Sequence, residues 1–199
     1  MARPPRPAMQ GDLDGLCGVY SIVNAVQWAL HTCTTTAWAF GQAPKRLIWT
    51  EQEALFDTLV TTLGKRRPHG TFVTDGIHAF ELTRLLRVSR EWLSIHRNAN
   101  LVCRRPFYRR RTIAPRSVLA RLREHLAAPG SAAIIAVEDH WTVVRGASNR
   151  RVRVMDSGGW MFMTISSKAH RRAGRNGFQP SSVFLLRLTP QAGTPAERQ

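Results

Sequence analysis

The segment from Gln10 to Ala25 constrains this chain most, because it places a cysteine at the predicted start of a buried helix. After Cys17, apolar residues recur every three or four positions as far as about His31, which is the spacing of a helix with one buried face. They are Val19, Ile22, Val23, Val26 and Leu30. We therefore expect Cys17 in the first turn of this helix, at the end of a loop.

A cysteine in this position is a candidate nucleophile. A thiol attacks an amide as its thiolate, and a helix N-terminus and a neighbouring imidazolium both favour that form. His140 opens one apolar segment that is predicted to be a strand, and Asp156 closes the next. One hairpin could set Asp156 beside His140 and hold the ring and its tautomer. Gln10 could donate its side-chain amide to a developing oxyanion, together with the backbone N–H of Cys17.

The composition limits the class of protein. The chain has 199 residues, enough for one domain with a sizeable core. It carries 29 Lys and Arg against 13 Asp and Glu, a formal net charge of +16. Such a chain attracts anions, which could be nucleic acid, an acidic protein or an anionic membrane surface, unless the arginines merely form a solvated surface. Non-specific binding of nucleic acid in vitro is expected in either case.

The cysteine count and the apolar pattern indicate the compartment. Three cysteines, Cys17, Cys33 and Cys103, argue against a disulfide framework and for a reducing environment, and their spacing does not suit a zinc site. The start has no apolar run typical of a signal peptide, and no stretch of about 18 apolar residues predicts a membrane span. We expect a cytoplasmic protein, or one delivered by a specialised secretion system.

The order of predicted elements indicates an α+β domain. Residues 1–9 and 189–199 are expected to be disordered tails, which leaves residues 10–188 as one domain. Helices are predicted over 17–31, from a capping box of Thr50 and Glu53 to Gly64, from 74 or 75 to 88, and from Pro115 to just before Pro129. Strands are predicted over 92–96, 132–137, 140–145, 151–156, 160–165 and 183–188.

Together these motifs resemble the papain-like cysteine peptidases, and within them the C39-like group that trims double-glycine leader peptides. The shared features are a glutamine, Cys-Gly at a helix start, His-Trp on a strand and Asp at the end of the next strand. The resemblance implies an α+β papain-like fold, with an N-terminal helical part packed on a C-terminal antiparallel sheet. It implies that Gln10 binds the oxyanion, Cys17 is the nucleophile, His140 the base and Asp156 its orienting group, with no cofactor.

The chain departs from that group in two ways. It lacks the transporter helices and P-loop usually fused to leader-trimming enzymes, and an arginine-rich insert lies between Cys17 and His140. The insert contains Arg104, Arg105, Arg109, Arg110 and Arg111. The substrate stays open as a peptide or isopeptide, which could be acidic or cleaved at a Gly-rich site.

Two alternatives remain at this stage. The same triad could deamidate or transglutaminate a protein. The other alternative is a catalytically inactive basic module that binds nucleic acid or protein on the same fold. Trp141 could shield the pair of His140 and Asp156 or pack in the core.

Overall fold

The computed structural model describes residues 5–9, 14–33, 46–67, 71, 75–110, 113–137, 140–165, 178 and 180–191. Its longer helices within these ranges are α1 (Cys17–Thr32), α2 (Trp49–Gly64), α3 (Ala79–Arg97) and α4 (Pro115–Leu126). Its strands are β1 (Ala99–Arg104), β2 (Ser131–Val137), β3 (His140–Ala147), β4 (Arg151–Met155), β5 (Phe162–Thr164) and β6 (Phe184–Pro190).

The six strands form one open antiparallel sheet in the order β1-β6-β2-β3-β4-β5. The expected α+β class is therefore confirmed. The central strand β2 reads as a continuous apolar run because both of its faces are covered. Ala132 and Ile134 belong to the core on one face, and Ala133 and Ile135 to the core on the other.

Helices cover both faces of the sheet. α1, α2 and α3 bury their apolar faces in the larger core, on one side, while Val118, Leu119 and Leu122 of α4 pack into the smaller core on the other side. α1 lies across β2 and β3. Each fully buried Val, Ile or Leu side chain of α1 contributes about 1.5–3 kcal/mol, so the helix is held firmly on β3. None of the helices described here is long and apolar enough to cross a membrane.

Two helices differ in their bounds from the sequence prediction, and one of them, α3, begins at Ala79 rather than at 74 or 75. α2 begins at Trp49, and the backbone N–H of Ile48 donates to Glu51 Oε2 at 2.8 Å, so the capping box of Thr50 and Glu53 was wrong. α3 continues to Arg97 through the segment 92–96 that was expected to be a strand. The aromatic residue in that segment, Trp92, continues the buried face of a long amphipathic helix.

The region of the arginine-rich insert begins as part of the sheet. β1, which the sequence pattern did not predict, ends at Arg104 and pairs with β6 along its whole length. The guanidinium of Arg105 lies 4.2 Å from the ring centre of Tyr108 and donates to the carbonyl oxygen of Ser181 at 2.9 Å. Arg109 and Arg110 are exposed, and Arg111 lies outside the described residues.

Candidate active site

Cys17 is the first residue of α1, as the sequence predicts. A single 3-10 turn, Asp14–Leu16, leads directly into the helix, and the cysteine is only 2% exposed. Gly18 allows this close packing, because a Cβ at that position would meet side-chain atoms of Ile77 at 3.1 Å. The backbone N–H of Trp141 points at Cys17 Sγ over 3.5 Å. The sulfur thus lies at the positive end of a helix dipole and beside a backbone donor, both of which favour a thiolate.

His140 and Asp156 meet across the β3–β4 pair. His140 is the first residue of β3. Asp156 directly follows Met155, the last residue of β4, and Met155 pairs with Val143 of β3. His140 Nε2 lies 2.7 Å from Asp156 Oδ1. The side chain of Asp156 is fully buried, and that of His140 is 23% exposed.

The turn after Asp156 fixes the carboxylate. Its second oxygen, Oδ2, accepts hydrogen bonds from the backbone N–H groups of Gly158 at 2.9 Å and Trp160 at 3.4 Å. A Cβ on Gly158 would lie 3.1 Å from the same oxygen. Because both carboxylate oxygens are bound, Asp156 can orient the His140 ring without moving.

The same histidine reaches the thiol. Hydrogen bonds from the ring to Asp156 and to Cys17 outweigh the effect of burial and raise the pKa of His140 to about 10. Since Asp156 occupies Nε2, Nδ1 is the ring nitrogen that faces the sulfur. Burial, the largest cause, raises the pKa of Asp156, but the hydrogen bonds that the carboxylate accepts, first of all from His140, and the charge of His140 together outweigh it, so the net shift is downward. The ring therefore carries a proton at neutral pH, held between a carboxylate and a thiol.

Tryptophan 160 is a site residue that the sequence did not reveal. Its ring centre lies 5.3 Å from that of His140, and 45% of its surface is exposed. Trp141, considered for this place, packs in the core instead. Its Nε1–H donates to the carbonyl oxygen of Ile77 at 2.6 Å, and its ring lies edge-on to Phe184. The only signal for Trp160 was its place just after the turn of Asp156.

Gln10 lies outside the described residues. The chain just before it is anchored by Asn24, a buried polar residue on α1. Ala8 N–H donates to Asn24 Oδ1 at 2.7 Å, and Asn24 Nδ2 donates to the Ala8 carbonyl at 3.3 Å. Asn24 follows Cys17 by two helical turns, about 10 Å along the axis. The segment 5–9, expected to belong to a disordered tail, is thus tied to the helix that carries the thiol.

The other two cysteines have different surroundings. A Cβ at Gly130 would lie 3.0 Å from the sulfur of Cys33, which is half-buried at the end of α1. Cys103 is exposed as a residue, yet desolvation of its thiol raises its pKa to about 11. In the part of the chain that is described, no group of three or more His, Cys, Asp or Glu side chains could hold a metal ion.

Comparison with known proteins adds no family to this geometry. The sequence matches no protein-family model, and no curated protein is significantly similar to it.

Proposed function

We propose that the protein is a cysteine-dependent amide hydrolase, a peptidase or isopeptidase of the papain-like, C39-like kind. One observation carries the proposal: His140 is hydrogen-bonded to the buried Asp156, and the thiol of Cys17, 3.5 Å from the backbone nitrogen of the next residue, Trp141, is near enough to raise the pKa of His140. Cys17 also begins a 16-residue helix. Nucleophile, base and orienting group are thereby contiguous in the order that nucleophilic catalysis needs.

The proposed reaction is acyl transfer through a thioester. The sulfur of Cys17 attacks the amide carbonyl and forms a C–S bond, while the carbonyl oxygen takes the negative charge. The backbone N–H of Cys17 and the side chain of Gln10 donate to that oxyanion. His140 gives its Nδ1 proton to the amine nitrogen as the C–N bond breaks. A water molecule then gives a proton to His140 as its oxygen attacks the thioester carbonyl. The C–S bond breaks, which releases a carboxylic acid and restores the Cys17 thiolate beside the protonated His140.

The architecture is compatible with this assignment. The nucleophile lies on an N-terminal helix, and the base and its partner lie on the antiparallel sheet against which that helix packs. A papain-like fold distributes its catalytic residues between helix and sheet in the same way. The tryptophan over His140 keeps water from one side of the charged pair, which strengthens electrostatic interactions within it.

Site-resolved alkylation tests the proposal. The rates at which iodoacetamide modifies Cys17, Cys33 and Cys103 are measured by mass spectrometry from about pH 5 to 9, in wild type and in His140→Ala. We expect Cys17 to react rapidly below pH 7 in the wild type alone. His96→Ala, which removes an exposed histidine from α3, is the matched control and should behave as wild type.

The opposite results would remove the basis of the proposal. If Cys17 titrates like an ordinary thiol near ~8.5, or reacts equally fast without His140, no thiolate–imidazolium pair exists. In that case a catalytically inactive binding protein becomes the better interpretation. If the pair exists, digestion of a peptide library by wild type and Cys17→Ala identifies the bonds that are cleaved.

A further inference from the structure

A β-bulge at the far end of β3 brings an additional arginine beside β4. Val144 pairs with Val154, but the next pair is Gly146 with Arg153, so Arg145 is the extra residue. A bulge of this kind breaks the alternation of a strand and redirects one side chain. The residue at the bulge, Arg145, is charged, although a β-bulge does not require a charged side chain.

Three arginines share one face of the sheet as a result. The valines that alternate with Arg151 and Arg153 on β4 point into the core beneath α4. Arg151 and Arg153 therefore point to the opposite face, on which α1 lies. The guanidinium of Arg145 is on that face too, 6.0 Å from the ring centre of Trp28 in α1.

The charge of these arginines is not compensated within the described ranges. None of the ion pairs found there involves Arg145, Arg151 or Arg153. The Nε atom of Arg145 is buried without a hydrogen-bond partner. Burial, and then the nearby charge of Arg153, lower the pKa of Arg145. Such a cluster would gain from an anionic ligand, because like charges close together repel one another.

Two of these arginines, Arg151 and Arg153, line a groove of about 410 Å³. Its lining residues are Gly146, Ala147, Ser148, Arg151, Arg153 and Phe162. Phe162 is 56% exposed and lies two residues after Trp160, the ring that covers His140. The groove is thus connected to the candidate active site by one short exposed segment.

We propose that this groove binds the acidic part of an extended peptide substrate whose reacting bond lies at Cys17. The inference rests on the proposed function. Gly146 lies six positions after His140 on β3, about 20 Å of strand, so the acidic residues would lie about six positions from that bond. Phe162 adds an apolar contact. A peptide is favoured over nucleic acid because Phe162, which lines the groove, follows by two residues the tryptophan that lies beside His140 in the site proposed for amide chemistry.

Binding of synthetic peptides to the Cys17→Ala protein tests the inference. The probe is a fluorescein-labelled peptide with a block of three Asp residues, six neutral residues and an alanine segment. A matched peptide has Asn in place of Asp, and a second pair has the block at the other end. Anisotropy is measured at 0.15 M salt, where surface attraction is largely screened. We expect at least a tenfold preference for one Asp peptide over its Asn counterpart.

The variant R151E/R153E should lose this preference. The matched control R87E/R90E reverses two exposed arginines on α3, changes the net charge equally, and should bind as the parent does. On the wild-type background, R151E/R153E should leave the alkylation rate of Cys17 by neutral iodoacetamide unchanged. The favoured peptide should slow that alkylation in the wild type, whereas the isolated Asp block should not.

Three results would overturn the inference. They are equal binding of Asp and Asn peptides, equal losses in R151E/R153E and R87E/R90E, and tighter binding of a single-stranded oligonucleotide with the same dependence on Arg151 and Arg153. The last would assign the groove to nucleic acid. Failure of the proposed function is distinguishable, because it would appear as ordinary alkylation of Cys17 in every variant.

Discussion

Replacing Asp156 by Asn should remove the pH dependence that the charged His140 gives to stability. The pKa of this histidine is raised from 6.5 to about 10, and the hydrogen bond to Asp156 is the largest cause. In the unfolded chain His140 loses its proton near 6.5, whereas the folded protein keeps it until about pH 10. The stabilisation is therefore complete below pH 6.5 and is lost as the pH rises to 10.

The size of the effect follows from the same values. A pKa raised from 6.5 to about 10 corresponds to roughly 5 kcal/mol at full strength. Part of it is due to Cys17, and the ring is 23% exposed to screening solvent. For the pair of His140 and Asp156 alone we expect about 2 kcal/mol of stability to be lost between pH 6.5 and 10.

Urea unfolding on a Cys17→Ser background measures this difference, because the substitution removes the titrating thiol. Stability is compared at pH 6 and pH 10 with and without Asp156→Asn. In this variant a side-chain NH₂ replaces Oδ2 and faces the N–H of Gly158, so that two donors meet. The variant should therefore also be about 1–3 kcal/mol less stable at both pH values. Asp57→Asn, at an exposed position on α2, should keep the pH dependence of the parent.

An equal loss of stability between pH 6 and pH 10 in Cys17→Ser and in Cys17→Ser/Asp156→Asn would contradict this expectation. His140 would then not hold its proton through Asp156. Histidine NMR titration gives an independent reading. The His140 resonance should titrate well above 6.5 in the parent and move towards 6.5 once the carboxylate is replaced.

Three further substitutions probe the surroundings of this pair. Gly158→Ala places a Cβ 3.1 Å from Asp156 Oδ2, so the displaced carboxylate should slow alkylation of Cys17 on the order of tenfold. Asn24→Ala removes both hydrogen bonds to Ala8 and should lower the free energy of unfolding by about 1–3 kcal/mol. Trp160→Ala lets water reach the imidazolium and should slow alkylation at pH 6 by roughly threefold.

Matched controls separate these effects from general damage. Gly64→Ala adds a Cβ at the end of α2, where no atom beyond its chain neighbours and its own helix backbone lies within 4 Å, and should leave the alkylation of Cys17 unchanged. Trp49→Ala removes a tryptophan that is 73% exposed and should leave Cys17 unaffected. If Gly158→Ala or Trp160→Ala behaves like its control, the contact in question does not support the thiol. If Asn24→Ala unfolds at the urea concentration of the wild type, the link to Ala8 does not stabilise the fold.

The elements that could be predicted were those in which the apolar residues keep one regular spacing throughout. The helical spacing of α1 and the apolar run of β2 gave their type and nearly their bounds. Prediction failed between residues 88 and 104, where a strand was expected inside α3 and β1 was missed. Trp92 is large and aromatic, which suits a strand locally, but only its neighbours on the same helix face decide its place. β1 has only six residues and ends in an exposed arginine, so its alternation of buried and half-buried residues was too short to indicate a strand.

The sequence indicated the residues of the candidate site but not the contacts that hold them in place. Cys17 was indicated by its place at a predicted helix start, and His140 and Asp156 by their places at the ends of predicted strands and by the resemblance to the papain-like peptidases. The supporting contacts depend on geometry that the sequence does not state. Trp160 lies beside His140 because the chain turns after Asp156. Ala8 is held by the buried side-chain amide of Asn24 on α1.

The geometry of the site arises from two constraints of different origin. The β3–β4 register and the following turn bring His140 and Asp156 together, so that pair depends on local structure. The position of Cys17 depends on how α1 packs, and Gly18, the next residue, lies against the side chain of Ile77. The carbonyl of Ile77 also accepts the Trp141 indole N–H, next to the N–H that points at the sulfur. The residues around Ile77 therefore couple the thiol to the histidine without taking part in the chemistry.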